Sequence, residues 1–200
     1  MRLAVYAEHP EPRKIQRAVE VLEKGGVVAY PTDTVYGLGC DLTNKAAVDR
    51  IYRMKRMRDD QLLAFLCPDL SEIARYAVVE NATYRTLKRA VPGPFCFILP
   101  ATREVPRMLM SKRKTIGIRV PDHPVAQALV RGLGRPIVSS SASLNGEQLQ
   151  DPDDIARAFP DVDLILDVGI CGIIPSTVVD MTGDEPVLQR QGLGDVSTLS

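Results

Sequence analysis

Hydroxyl and guanidinium groups cluster at a few points of this sequence, each beside a short apolar run. Pro31-Thr32-Asp33-Thr34-Val35-Tyr36-Gly37-Leu38-Gly39 follows the apolar residues 27–30. A strand that opens into Thr, Thr and Gly sets hydroxyls and backbone N–H groups at a sheet edge, where carboxylate or phosphate oxygens can be bound. Neither G-x-x-x-x-G-K-[ST] nor G-x-G-x-x-G is present, so spacing alone leaves the segment equally a binding edge or a structural turn. Residues 50–58 hold Arg50, Arg53, Lys55, Arg56 and Arg58. One helix face cannot carry all of them. They either meet an anion or complement the negative C-terminal end of a helix.

Residues 115–120 alternate Thr115, Gly117 and Arg119 with Ile116, Ile118 and Val120. Period two sends the apolar set to one side of a strand and Thr115 and Arg119 to the other. A strand-borne arginine can grip a carboxylate through two hydrogen bonds, or pair with a structural aspartate. Ser139, Ser140, Ser141 and Ser143 crowd the end of the apolar pair 137–138, which suits phosphate or ribose oxygens as well as a plain serine-rich loop. Ser176 and Arg190 each stand beside a further strand-like run.

Other chemistries find little support. Cys40, Cys67, Cys96 and Cys171 are widely spaced without a C-x-x-C, so they read as reduced, buried thiols rather than a zinc or redox site. His9 and His123 belong to neither an H-E-x-x-H nor a G-x-S-x-G arrangement. No metal-ligand set and no specific catalytic acid, base or nucleophile is assigned.

These residues need a scaffold, and the composition supplies one. The 200 residues are 45% hydrophobic and 25% charged, with 25 basic and 25 acidic side chains. That is the make-up of a globular protein with a real core, and its length suits one domain over 1–200. No apolar run is long enough to span a membrane, and the N-terminus does not read as a secretory leader. Residues 1–120 carry 21 Lys/Arg against 13 Asp/Glu, and residues 121–200 carry 4 against 12, a split of +8 and −8. Such asymmetry can present a basic face to anions at zero overall charge, or be only a dipolar surface.

Apolar spacing and capping residues predict helices over 12–24, 45–54, 71–76, 81–91 and 124–133, and another starting at Asp151-Pro152. Strands are expected over 27–30, 62–66, 95–99, 115–120, 137–138, 164–166, 177–179 and 186–188. Strands follow one another near the C-terminus, so a mixed sheet is expected rather than a purely parallel one.

Five segments in this order, 31–39, 55–63, 115–124 (TIGIRVPDHP), 139–146 and 176–180, followed by Arg190, resemble the YrdC-like family of threonylcarbamoyl-adenylate synthases, in details nearest its YciO-like branch. The resemblance spans nearly the whole chain. It implies an α/β fold with a twisted mixed parallel/antiparallel sheet, flanking helices and a basic concave surface. It implies a cytoplasmic nucleotidyltransferase that joins L-threonine, bicarbonate and ATP into threonylcarbamoyl-adenylate, releasing pyrophosphate. That product serves tRNA threonylcarbamoyladenosine (t6A) formation, and family members are also described as binding double-stranded RNA. Matched residue by residue, Thr34, Arg119, Ser139 and Ser176 fall on threonine-binding positions. Lys55, Arg58, Thr115, Ser141 and Arg190 are assigned to the nucleotide. Mg2+ would ride on the phosphates.

The chain departs from the family pattern at four points. The Arg of the family's K-x-R falls at Met57, with Arg56 and Arg58 on either side; its Asn falls at Gln61 and its His at Leu66. The Asn of Ser-x-Asn falls at Ser143. Two readings therefore stand: a synthase, and a relative that binds RNA or acts in tRNA modification without making the adenylate. A protein-docking role for the basic face ranks last.

Overall fold

Among the residues that the computed structural model describes (1–58, 61 and 63–199), apolar periodicity resolves into six α-helices around one ten-stranded sheet. The chain opens with β1 (Arg2–Ala4) and α1 (Pro12–Glu23). Pro12 pre-sets the first turn, and Ile15, Ala18, Val19 and Leu22 form the buried stripe. Strands β2 (Val28–Tyr30) and β3 (Gly37–Asp41) pair antiparallel. Helix α2 (Lys45–Met54) starts where the Asn44 side chain accepts the Ala47 N–H at 2.9 Å. There follow β4 (Ala64–Leu66), α3 (Leu70–Tyr76), α4 (Asn81–Ala90), β5 (Phe95–Pro100), β6 (Thr115–Arg119), α5 (Pro124–Leu133) and β7 (Ile137–Ser141). A two-stranded hairpin, β8 (Ser143–Leu144) and β9 (Glu147–Gln148), leads to α6 (Pro152–Ala158), β10 (Leu164–Asp167), β11 (Thr177–Asp180) and β12 (Val187–Arg190).

The sheet runs β1-β10-β2-β3-β7-β4-β6-β5-β11-β12. The pairs β1–β10, β10–β2, β4–β6 and β5–β11 are parallel and the others antiparallel, which is the mixed α/β architecture expected. One buried cluster joins α1 and α5 to Val28, Tyr30, Leu66, Ile137, Leu164 and Leu166. The larger cluster lies on the other face, with Ile51, Ile73, Leu87 and Ile155 from α2, α3, α4 and α6.

Three local expectations are corrected. Strand β1 was not anticipated, since its three residues lack a clear apolar run. Residues 37–39, expected within a turn, are strand: the Tyr30 ring crosses β3, and a Cβ at Gly37 would lie 2.9 Å from its hydroxyl while one at Gly39 would lie 2.8 Å from its ring. Ser139–Ser141, expected beyond the end of the strand over 137–138, continue β7 because they pair with Gly37–Gly39. Asp59, Asp60 and Leu62, the last the expected first residue of the strand over 62–66, lie outside the described residues.

Candidate functional site

Helices α1 and α5 leave part of their sheet face uncovered, and a cavity of about 260 Å³ opens there. Strict alternation builds its wall. Phe95, Phe97, Ile116, Ile118 and Val179 point into the larger core, so Cys96, Ile98, Gly117, Arg119 and Val178 point into the cavity. Ala64 and Leu66 from β4 and Ser139 and Ser141 from β7 join them. Thr32 and Thr34 close one side, and Pro175, Ser176 and Arg190 the other.

Thr32 shapes its own turn. Its hydroxyl donates to the Val35 carbonyl at 2.6 Å and accepts the Thr34 and Val35 N–H groups at 3.1 and 3.2 Å. A segment from the chain's C-terminal third packs on this turn: the Tyr36 hydroxyl donates to the Gly169 carbonyl at 2.9 Å and accepts the Val168 N–H at 3.1 Å. Gly172 lies so close that a Cβ there would fall 2.4 Å from the Thr34 carbonyl.

Arg119 is 9% exposed and hydrogen-bonds Asp33 through one terminal nitrogen. The aspartate partner weighed for this arginine is present, and the side chain also lines the cavity. Its Nε and the Asp33 Oδ2 are buried and have no hydrogen-bond partner. A buried donor or acceptor left without a partner costs free energy.

Lys55 turns inward below the serine strand. Its Nζ donates to Ser140 Oγ and the Ser141 carbonyl at 2.6 Å each and to Ser143 Oγ at 3.3 Å. Arg56, in the left-handed region at φ 52°, ends α2 and turns the chain. Burial pushes the Lys55 ammonium down to about 8. Arg190 donates to the Ser176 carbonyl at 2.9 Å. Arg53, Arg56 and Arg58 are exposed on the same cationic segment, and Arg58 does not line the cavity.

Of the residues singled out in the sequence, Thr34, Arg119, Ser139, Ser141, Ser176 and Arg190 line one cavity, and Lys55 is bonded to the strand that carries the serines. Thr115 does not. It stands two rungs from Gly117, is 5% exposed, and its hydroxyl is bonded to Ser111 Oγ at 2.7 Å. Sequence reasoning missed Asp33, Tyr30 and the apolar floor of Leu66, Cys96 and Ile98. The parity that places Arg119 also places Cys96 and Ile98; only the fold pairs Asp33 with Arg119.

The site lacks the signature of thiol or imidazole chemistry. Burial pushes the Cys96 thiol up, keeping it protonated. Burial pushes His123 down despite Asp33, Glu8 and Asp122, and its Nδ1 caps α5 by accepting the Val125 N–H at 3.2 Å. Among the described residues no three His, Cys, Asp or Glu side chains group to hold a metal, and Asp33 is already paired with Arg119. No helix among the described residues is long and apolar enough to cross a membrane.

Comparisons with known proteins extend these observations. The Sua5/yciO/yrdC family model, described as telomere recombination, matches residues 20–192. An uncharacterised protein of Escherichia coli K12, YciO, is 45% identical over 196 residues, 96% of this chain and 95% of its own. A threonylcarbamoyl-AMP synthase of Vibrio vulnificus is 35% identical over 147 residues, covering 68% of this chain and 79% of the synthase. The crystal structure of E. coli YciO superposes with a TM-score of 0.96 at 43% identity, covering 100% of this chain and 99% of that one. P. abyssi Sua5 complexed with L-threonine superposes with a TM-score of 0.89 at 32% identity, covering 96% of this chain and 57% of that one.

Proposed function

The chain belongs to the Sua5/YciO/YrdC family, and from that premise we propose that its pocket makes threonylcarbamoyl-AMP from L-threonine, bicarbonate and ATP. The observation that carries the reading is the convergence of Thr34, Arg119, Ser139 and Ser176 from four separate segments around a guanidinium whose buried Nε has no hydrogen-bond partner. A small zwitterion fits that chemistry. Arg119 Nε takes the carboxylate, and the hydroxyls take its remaining oxygens.

The cavity is small for a whole nucleotide, so ATP occupies its open side, towards Ser141 and Arg190, with the Lys55 ammonium behind Ser141. The threonine ammonium releases a proton to solvent, and the amine nitrogen bonds to the bicarbonate carbon with loss of water, giving a carbamate. A carbamate oxygen then bonds to the α-phosphorus, and the bond to pyrophosphate breaks. Lys55 and Arg190 stabilise the charge that develops on the leaving pyrophosphate. Catalysis is mainly alignment, an effect worth up to about 7–11 kcal/mol. The product enters t6A formation in the cytoplasm.

Incubation of the purified protein with all three substrates and Mg2+ releases pyrophosphate. Omitting threonine, bicarbonate or ATP abolishes the release, and threonine-independent release by folded protein rejects the reading.

A second reading is favoured by two specific observations: Leu66, where the family pattern has His, forms the pocket floor at 2% exposure, and Ser143 stands beside Lys55 where that pattern has Asn. On this reading the protein binds tRNA or double-stranded RNA through its exposed cations, Arg53, Arg56 and Arg58 among them, and makes no adenylate. A-form RNA is then recognised by shape and backbone, and binding weakens steeply with salt. RNA binding that does not respond to salt rejects it.

A further inference from the structure

We propose that Tyr30 is a positioning residue for the amino-acid end of the pocket: its phenol donates to Ser139 Oγ and so turns the Ser139 proton outward, as a donor to an anionic oxygen of the ligand. The inference rests on the threonine reading above. Tyr30 ends β2, is 0% exposed, and packs among residues of the α1–α5 core. Its ring crosses β3 at Gly37 and Gly39, where any side chain would collide with it. On the far side of β3 lies β7, and there the phenol meets Ser139. A ring thus spans one strand to deliver a hydroxyl to a pocket residue.

The direction of this hydrogen bond follows from satisfaction. Among the described residues, Ser139 is the hydrogen-bond partner of the phenol. Were Ser139 the donor, the phenol proton would be buried without an acceptor, at a cost of about 1–3 kcal/mol. Ser139 loses nothing in the converse arrangement, because it is half-buried and lines the cavity, where water or a ligand accepts its proton. Burial pushes the phenol's pKa up to about 12, so its proton is always present. A hydroxyl that accepts one hydrogen bond also donates a stronger one.

The test is a double-mutant cycle of Tyr30→Phe, Ser139→Ala and the double variant. L-threonine and ATP are titrated separately by calorimetry, and the unliganded proteins are melted. Tyr30→Phe should weaken threonine binding about ten-fold. ATP affinity and melting temperature should stay close to wild type. Ser139→Ala, which leaves the ring in place, should weaken threonine by at least as much, and adding Tyr30→Phe should change affinity by less than about two-fold. Three outcomes overturn the inference: unchanged threonine affinity in Tyr30→Phe, equal losses for threonine and ATP, or full additivity in the double variant. Absence of threonine binding by the wild-type protein is a different result, which rejects the threonine reading itself and this inference with it.

Discussion

Replacing Arg119 with lysine separates the charge of this side chain from its shape. The side chains of Arg119 and Asp33 are 11% and 12% exposed, so their pairing takes place largely out of water. One guanidinium nitrogen serves Asp33, while Nε points to no acceptor. Lysine keeps a cation for Asp33, but its single nitrogen is then held there and the second donor direction is lost. A hydrogen bond to a charged group is worth about 1.5–3 kcal/mol, so threonine affinity should fall roughly 10- to 150-fold. Stability should change little. Arg119→Ala, in contrast, strands a buried carboxylate and should cost about 3–5 kcal/mol. Calorimetric titration with L-threonine, run beside urea unfolding, separates the two effects. Undiminished affinity in Arg119→Lys refutes the role assigned to Nε. Equal destabilisation by lysine and alanine refutes the account of the Asp33 pair.

Lys55 supplies a pH signature: a protonated amine attracts the triphosphate, so ATP affinity should be full below pH about 8 and fall above it, and Lys55→Arg should remove the dependence in titrations across that range. At Gly192 a Cβ would lie 2.2 Å from the Pro175 carbonyl and 2.5 Å from the Ser176 carbonyl carbon, so Gly192→Ala should displace this wall and weaken threonine binding more than about ten-fold, as calorimetry would show. Asp41 anchors β3 away from the pocket. Burial raises its carboxyl, but the hydrogen bonds from Arg135 and from the Thr43 N–H and hydroxyl outweigh this and hold it below the usual aspartate range. Its contribution to stability is therefore present above the ordinary value of about 3.9 and lost as pH falls through the depressed one. Asp41→Asn should flatten that acid limb in urea-unfolding curves taken against pH.

Much of this arrangement was legible in the residue order. Period-two alternation over 115–119 put Arg119 opposite Ile116 and Ile118, and proline and capping residues fixed the starts of α1, α2, α5 and α6. What escaped has a common cause: partners distant in sequence. Gly37 and Gly39 carry no strand propensity, and only the Tyr30 ring beneath them and the serines beside them explain why they are strand. Thr115 has the right parity but the wrong end of β6, since alternation names a face and not a distance along it. The ligand-free partner of Arg119 is an aspartate 86 positions away, which no local pattern reveals.

If one pocket unites threonine, bicarbonate and ATP, the carbon of labelled bicarbonate must pass into the adenylate. Label should appear in a product that contains both threonine and AMP, with one label for each pyrophosphate released. Pyrophosphate released without label in such a product, or no labelled adenylate from folded protein with all three substrates, contradicts it.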